Sequence, residues 1–239
     1  MNSGKTKVLT GVDDSLQNPS MFPLFNFNKL ENKGERIDID MTKQIHFEDL
    51  NVFQKIHYTR YQFIANEIEK DKYNLDIACG TGYGTIMLSI VSKFIEGYDI
   101  DKFVIDSISK RYATFTNVKF GIANILELNF SEKFHNIISF ETLEHFSESE
   151  IGIILKKYHS ALQPNGFLFF STPYQQKNDI RMKILGHHKT FDIDEAKISH
   201  WLKQNGFEVI YFKYQNYNTN NVTDSAEIKD IIICKAKKL

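Results

Sequence analysis

The stretch Leu75-Asp76-Ile77-Ala78-Cys79-Gly80-Thr81-Gly82-Tyr83-Gly84-Thr85 does most to limit what this 239-residue chain can fold into. Its front end is apolar and follows a charged helical segment, which predicts a short buried strand. Three alternate glycines then predict a tight turn, and Ile86 to Val91 continues as a helix. Glycine suits a turn with unusual dihedrals, or a place where a ligand lies against bare backbone. Set between a strand's carboxyl end and a helix amino terminus, such a turn is a nucleotide-type site.

The spacing narrows the ligand. A dinucleotide fingerprint reads G-x-G-x-x-G, but here Thr85 stands at the third glycine, and no G-K-[ST] of a P-loop follows. Phe94 to Asp99 reads as a second strand ending in an acid, and a carboxylate can accept hydrogen bonds from both hydroxyls of a ribose. The run "LDIACGTGYGT" followed by "GYDID" closely resembles the first two motifs of class I S-adenosylmethionine-dependent methyltransferases, with Ala78 replacing the family's first glycine. The resemblance implies S-adenosyl-L-methionine as cofactor and S-adenosyl-L-homocysteine as product.

Composition sets the outer bounds. The length suits one large domain with a full core. A net charge of −1 and a pI near 6.7 give no overall field that favours polyanions. No signal-peptide pattern opens the chain, and apolar runs such as Phe167 to Phe170 and Ile231 to Cys234 are too short to span a bilayer. Cys79 and Cys234 form no metal or redox spacing, and Cys79 reads as a small turn residue. The expectation is a soluble cytoplasmic protein with no metal, no membrane partner and no nucleic-acid partner.

Residues 1–45 are polar and irregular, broken by Pro19 and Pro23, and their aromatic cluster Met21 to Phe27 suggests an arm covering a cleft. Residues 46–239 read as a single domain. From Phe47 to Lys70 apolar residues recur at helical steps. A helix from Lys102 to Ala113, a strand from Val118 to Asn124, a strand from His135 to Glu141 and a helix from Glu148 to Leu162 follow in turn. The helix ends at the breaker cluster Gln163 to Gly166, and Phe167 to Ser171 is the fifth strand. A polar stretch at about 174–190 takes the place of an acceptor-side insertion. A helix from Asp194 to Gln204, with Ala196, Ile198, Trp201 and Leu202 inward, precedes two final strands, Phe207 to Phe212 and Glu227 to Lys235. Alternating strands and helices predict an α/β, doubly wound, mostly parallel sheet covered on both faces. The family resemblance supplies seven strands and an antiparallel C-terminal hairpin.

The resemblance also implies roles. Glu35-Arg36 with His57…Arg60-Tyr61 matches a run found in relatives that modify sugars of surface polysaccharides, where the helix closes over the donor; Arg60 is then a candidate for its methionine carboxylate, or simply a solvated arginine. Asp76, Ala78, Gly80, Gly82 and Tyr83 are expected at the methionine end, Gly82 most strictly, and Asp99 and Ile100 at the ribose. Asn124 and Ile125 are expected at the adenine, and Phe140 and Glu141 where donor and acceptor meet. The implied acceptor is a small molecule, a hydroxyl of a sugar or sugar-nucleotide, with an amino-sugar nitrogen and a non-catalytic donor-binding protein as alternatives; a homodimer is compatible. DNA amino-group enzymes carry an Asn/Asp-Pro-Pro-Tyr/Phe motif where this chain has Phe140 to Leu143, and Ser171 to Tyr174 follows a different strand.

Methyl transfer from a sulfonium is an in-line displacement, so alignment supplies most of the catalysis. An oxygen acceptor must also lose a proton, which suits histidine near neutrality. His145, just past the fourth strand, and His188, in the insertion, are the candidate catalytic residues, with His57 a weaker choice.

Overall fold

A computed structural model describes residues 36–175 and 188–239. Most of the arm and of the insertion, including the Met21 to Phe27 cluster, lies outside the described residues.

Eight strands form one sheet in the order β3-β2-β1-β4-β5-β8-β6-β7. They are β1 (Tyr73–Ile77), β2 (Phe94–Asp99), β3 (Val118–Ile122), β4 (Phe134–Phe140), β5 (Leu162–Pro173), β6 (Phe207–Gln215), β7 (Val222–Thr223) and β8 (Ile231–Lys238). The first five pair in parallel, and β8 joins β5 and β6 antiparallel. The expected doubly wound sheet is therefore present, and the strand added to the expected seven is the two-residue β7 on the outer edge.

Among the described residues five helices pack on it: α1 (Val52–Glu67), α2 (Tyr83–Ser89), α3 (Lys102–Arg111), α4 (Glu148–Ala161) and α5 (Glu195–Gln204). Their starts are written locally. Asn51 with Gln54, and Ser147 with Glu150, form reciprocal capping boxes, while Asp101 and Asp194 cap α3 and α5 through their carboxylates. Successive residues of β5 feed opposite faces of the sheet. Leu168 and Phe170 enter the cluster built with Ile154, Tyr158 and Trp201 of α4 and α5, and Phe169 enters the one built with Tyr61, Ile64 and Leu88 of α1 and α2. Each such buried side chain contributes about 1.5–3 kcal/mol, so a sheet covered on both faces is stabilised twice over.

Two local expectations need correction. The breaker cluster Gln163 to Gly166 does not precede β5 but interrupts it. Leu162 pairs with Phe134 and Phe167 with Asn136, so four residues loop out with Asn165 at φ 63°. Ala196 faces solvent rather than the core, because the inward stripe of α5 is Ile198, Trp201 and Leu202.

The chain runs outward from β1 to β2 and β3, then returns to lay β4 on the other side of β1. That reversal opens a crevice beyond the carboxyl ends of β1 and β4, where doubly wound sheets hold ligands.

Candidate active site

A cavity of about 430 Å³ occupies that crevice, within the size range of small-molecule sites. One end is made by the turn after β1 and the tip of β2, the other by the segment after β4.

At the first end the backbone does the shaping. Ala78, the family's missing glycine, keeps the left-handed conformation at φ 59°, followed by Gly80 at 53° and Gly82 at 75°. A left-handed alanine costs roughly 1–2 kcal/mol, a strain of the kind held at functional sites. Of the two glycines, Gly80 faces open space: a Cβ there would meet nothing within 4 Å. A Cβ on Gly82 would instead lie 2.9 Å from the Phe120 ring and 3.1 Å from Ile108. The strictness expected of Gly82 therefore comes from its dihedrals and packing, and Gly80 is the glycine that lines the cavity.

Asp99 ends β2 nearly buried, and its carboxylate organises the turn. Oδ2 accepts from the Gly80 amide at 3.0 Å, and Oδ1 accepts from the Asp101 amide at 3.0 Å and from Arg36 Nη2 at 3.1 Å. Arg36 also donates through Nη1 to Asp101 at 2.8 Å. Residues 36–41 run across this end. Thr81 Oγ1 donates to the Ile37 carbonyl, Arg111 forks onto Asp38, and Tyr112 donates to the Ile39 carbonyl. Arg36 and Ile37 thus line the cavity, and the sequence reading, which used Glu35-Arg36 only as a family signature, did not place Arg36 at Asp99.

Two other residues expected at the donor have different tasks. Asp76 is fully buried beneath the turn and accepts from Tyr61 Oη at 3.1 Å and Thr85 Oγ1 at 2.6 Å. Burial pushes its carboxyl up to about 7 despite those two donors. Arg60 is fully buried and absent from the cavity lining. Its Nη1 donates to Glu141 at 2.7 Å and Ser171 at 2.8 Å, and its Nε to Gln215 at 3.1 Å, while Nη2 has no partner among the described residues. It clamps α1 to the ends of β4, β5 and β6, which neither the solvated reading nor the donor-carboxylate reading foresaw.

The remaining expected residues do meet at the cavity: Tyr83, Ile100, Asn124, Ile125, Phe140, Glu141 and His145 all line it. Asn124 caps the short turn Ile125–Glu127, its Oδ1 accepting from the Leu126 amide, so the oxygen expected at an adenine already has a backbone partner. Ile100 is 67% exposed at the cavity edge, an apolar surface that a planar ring can cover. Tyr83 Oη meets His57 Nδ1 at 2.9 Å, and burial drives that imidazole down to about 3, which fixes it neutral. Burial likewise pushes the Cys79 thiol well up, so it is no nucleophile.

The second end follows β4. Glu141 leaves the strand at φ 46°, and the turn Leu143–His145 carries Glu144 inward and His145 to the cavity. Glu144 is 2% exposed. Its carboxyl is raised well above the usual range, first by burial and then by the neighbouring charge of Glu141. His188 is also buried, outside the cavity lining, with its ring edge-on to His145 at 5.1 Å between centroids. The two candidate histidines are thus neighbours, and the sequence reading had no signal for Glu144 beside them.

Comparison with known proteins bears on this geometry. Residues 75–166 match the family model described as a methyltransferase domain. A probable S-adenosylmethionine-dependent methyltransferase of Mycolicibacterium smegmatis (strain ATCC 700084 / mc(2)155) is 24% identical over 161 residues, 66% of this chain. The chain spans 60% of that relative's length. Among solved structures, an S-adenosylmethionine-dependent methyltransferase of Methanosarcina mazei superposes with TM-score 0.58 at 20% identity, covering 74% of this chain and 97% of its own. The N-methyltransferase NodS of Bradyrhizobium japonicum WM9 superposes with TM-score 0.62 at 17% identity, covering 80% and 98%. It has also been solved with S-adenosyl-L-homocysteine. The fold and the cofactor class read from the glycine turn agree with these matches. Among the described residues no helix is long and apolar enough to cross a membrane.

Proposed function

From the match of residues 75–166 to a family model described as a methyltransferase domain, we infer an S-adenosylmethionine-dependent enzyme that methylates a hydroxyl of a small molecule, a sugar or sugar-nucleotide. The observation that supports it is one continuous cavity with two unlike ends. The glycine turn and Asp99 are suited to a donor's methionine and ribose, and Thr142, His145 and Phe146 leave a separate place for an acceptor.

The residues fit such a donor. Gly80 presents bare backbone, Asp99 offers a carboxylate that would suit a ribose, and Ile100 and Ile125 offer apolar faces to a base. When bound, the donor supplies an activated methyl group on sulfur. This chain's own part is to align the acceptor oxygen behind that carbon and to keep water from the line of attack; alignment of this kind is worth up to about 7–11 kcal/mol. As the new carbon–oxygen bond forms, the carbon–sulfur pair stays with sulfur and the hydroxyl proton must leave. His145 is the imidazole that lines the cavity at that end.

The sugar rests on the run Glu35-Arg36…His57…Arg60-Tyr61 and its likeness to polysaccharide-modifying relatives. An amino nitrogen is the second reading, favoured by NodS being an N-methyltransferase. Incubation with labelled donor and a panel of nucleotide sugars and amino sugars, read by mass, tests both. A labelled product carrying one added methyl supports the reading. Failure of the chain to bind S-adenosyl-L-homocysteine in calorimetry would overturn it.

A further inference from the structure

We propose that Glu144, His145 and His188 form a site for a divalent transition-metal cation at the acceptor end of the cavity. Each offers one ligand atom, and those atoms all lie within 4.8 Å of one another. Two ligand atoms on a single cation at ~2.1 Å stand roughly 3–4.2 Å apart, so small rotations of the side chains close the site.

Chemistry and burial support it independently of that spacing. A carboxylate with two imidazoles suits a first-row divalent cation, and three protein ligands leave coordination positions open. Oε2 of Glu144 is buried and accepts no hydrogen bond from the described residues, an arrangement that costs free energy unless a partner arrives. Thr172 Oγ1 lies close enough to Glu144 to hold its carboxyl somewhat down, but among the described residues it makes no hydrogen bond of good geometry. Among the described residues the Arg60 guanidinium does not relieve Glu144, because its Nη1 is bound to Glu141 and Ser171. The backbone holds the site together: the Glu144 carbonyl accepts from the Lys189 and Thr190 amides at 2.8 and 3.1 Å, tying the His188 segment to the turn after β4.

His145 alone of the three lines the cavity, so the open positions of a cation on this triad face the acceptor. There a cation would take the acceptor's hydroxyl as a ligand and make it more acidic. Acceptors with two neighbouring oxygens, able to fill two positions at once, form the favoured substrate class. In this respect alone the inference rests on the methyltransferase reading; cation binding itself does not.

The test uses the chelator-treated full chain titrated with Co²⁺ followed by its visible absorption, and with Mn²⁺ followed by loss of the free-ion paramagnetic signal. One ion per chain is expected. Glu144→Gln and His188→Ala should each weaken it by at least about 10–100-fold, the scale known for groups that only support a metal's ligands. S-adenosyl-L-homocysteine affinity, measured on the same samples, should stay within about twofold and reports that each variant is folded. No stoichiometric binding of either ion by the wild type would overturn the site. So would wild-type ion affinity in both variants, which would place the ion elsewhere. Ion binding without S-adenosyl-L-homocysteine binding would instead retain the site and remove the methyltransferase reading.

Discussion

The two ends of the cavity are built by opposite means. At the end proposed for the donor, most of the shaping is by backbone close to a strand, with left-handed residues at 78, 80 and 82 and one carboxylate that ends β2, and residues 36–41 run across it. At the acceptor end, side chains do the work, and they come from places far apart in the chain: Glu144 and His145 after β4, His188 after the insertion. Backbone geometry is rigid and tolerates few substitutions. Side chains on loops can be exchanged, so one fold can keep its donor and change its acceptor. The contrast predicts that damage at one end should leave the other end's binding intact.

The sharpest break in that comparison is at His145. His145→Ala should lower turnover by about 10²–10⁴-fold, whether the imidazole takes the acceptor's proton itself or holds the cation that acidifies the hydroxyl. Donor affinity, read by calorimetry with S-adenosyl-L-homocysteine, should remain within about twofold. A parallel loss of donor affinity would mean that the two ends are one unit.

Asp76 tests the donor end's foundation. Its buried carboxyl, raised to about 7 against an ordinary value of 3.8, keeps a proton that the unfolded chain gives up. Between about pH 4 and 7 the folded state therefore binds more protons, so this group's contribution to stability falls as pH rises through that window and levels off above it. The span is worth a few kcal/mol, at about 1.4 kcal/mol per unit. Asp76→Asn can keep both partners, since the hydroxyls of Tyr61 and Thr85 can accept as well as donate. Melting temperature measured from pH 4 to 8 should fall less steeply in Asp76→Asn than in the wild type. Parallel curves would remove the carboxyl from the account.

Asp99→Ala should weaken S-adenosyl-L-homocysteine binding by about 10–100-fold, because each hydrogen bond to a charged group contributes about 1.5–3 kcal/mol. The same variant should keep the ion affinity of the Glu144, His145 and His188 triad. Loss of both would show the ends to be coupled through the turn.

These differences also explain what could be read from the sequence. The strand β2 falls on Phe94–Asp99 as expected, and α4 and α5 begin where their caps stand, because alternation, caps and glycines act over a few residues. The expectation that Gly80, Asp99 and Ile100 share one site was legible for the same reason, and all three line the cavity, each just past or at the end of β1 or β2. Arg60 was misread because its partners, Glu141, Ser171 and Gln215, come from three strands that only the fold brings together. Asn124 lines the cavity, but its capping bond was not foreseen, since one amide oxygen can accept from the backbone and from a ligand together. Gly82 was expected to face the ligand, whereas a Cβ there would meet Phe120 and Ile108 of β3 and α3. Glu144 carried no signal, for a buried acid in a Leu-Glu-His run reads like the first turn of any surface helix.

The smallest expected effect is the most discriminating for the donor end, and it concerns Arg36. Its guanidinium donates to Asp99 Oδ1, the oxygen that also receives the Asp101 amide, and Asp99 Oδ2 already receives the Gly80 amide. A ribose arriving at Asp99 must therefore displace Arg36 or share a crowded carboxylate with it. The pair is partly open to solvent, Arg36 being 24% exposed, so its net worth is limited by screening to about 1 kcal/mol or less. Arg36→Ala should then tighten S-adenosyl-L-homocysteine binding by up to about fivefold. Arg36→Lys, which cannot fork onto Asp99 and Asp101 together, should fall between the two. The opposite sign, weaker binding in Arg36→Ala with Lys partly restoring it, would make Arg36 a cap that folds over the bound donor rather than a competitor for its ribose site. Either result leaves the triad's ion affinity unmoved if the two ends are as independent as their construction implies.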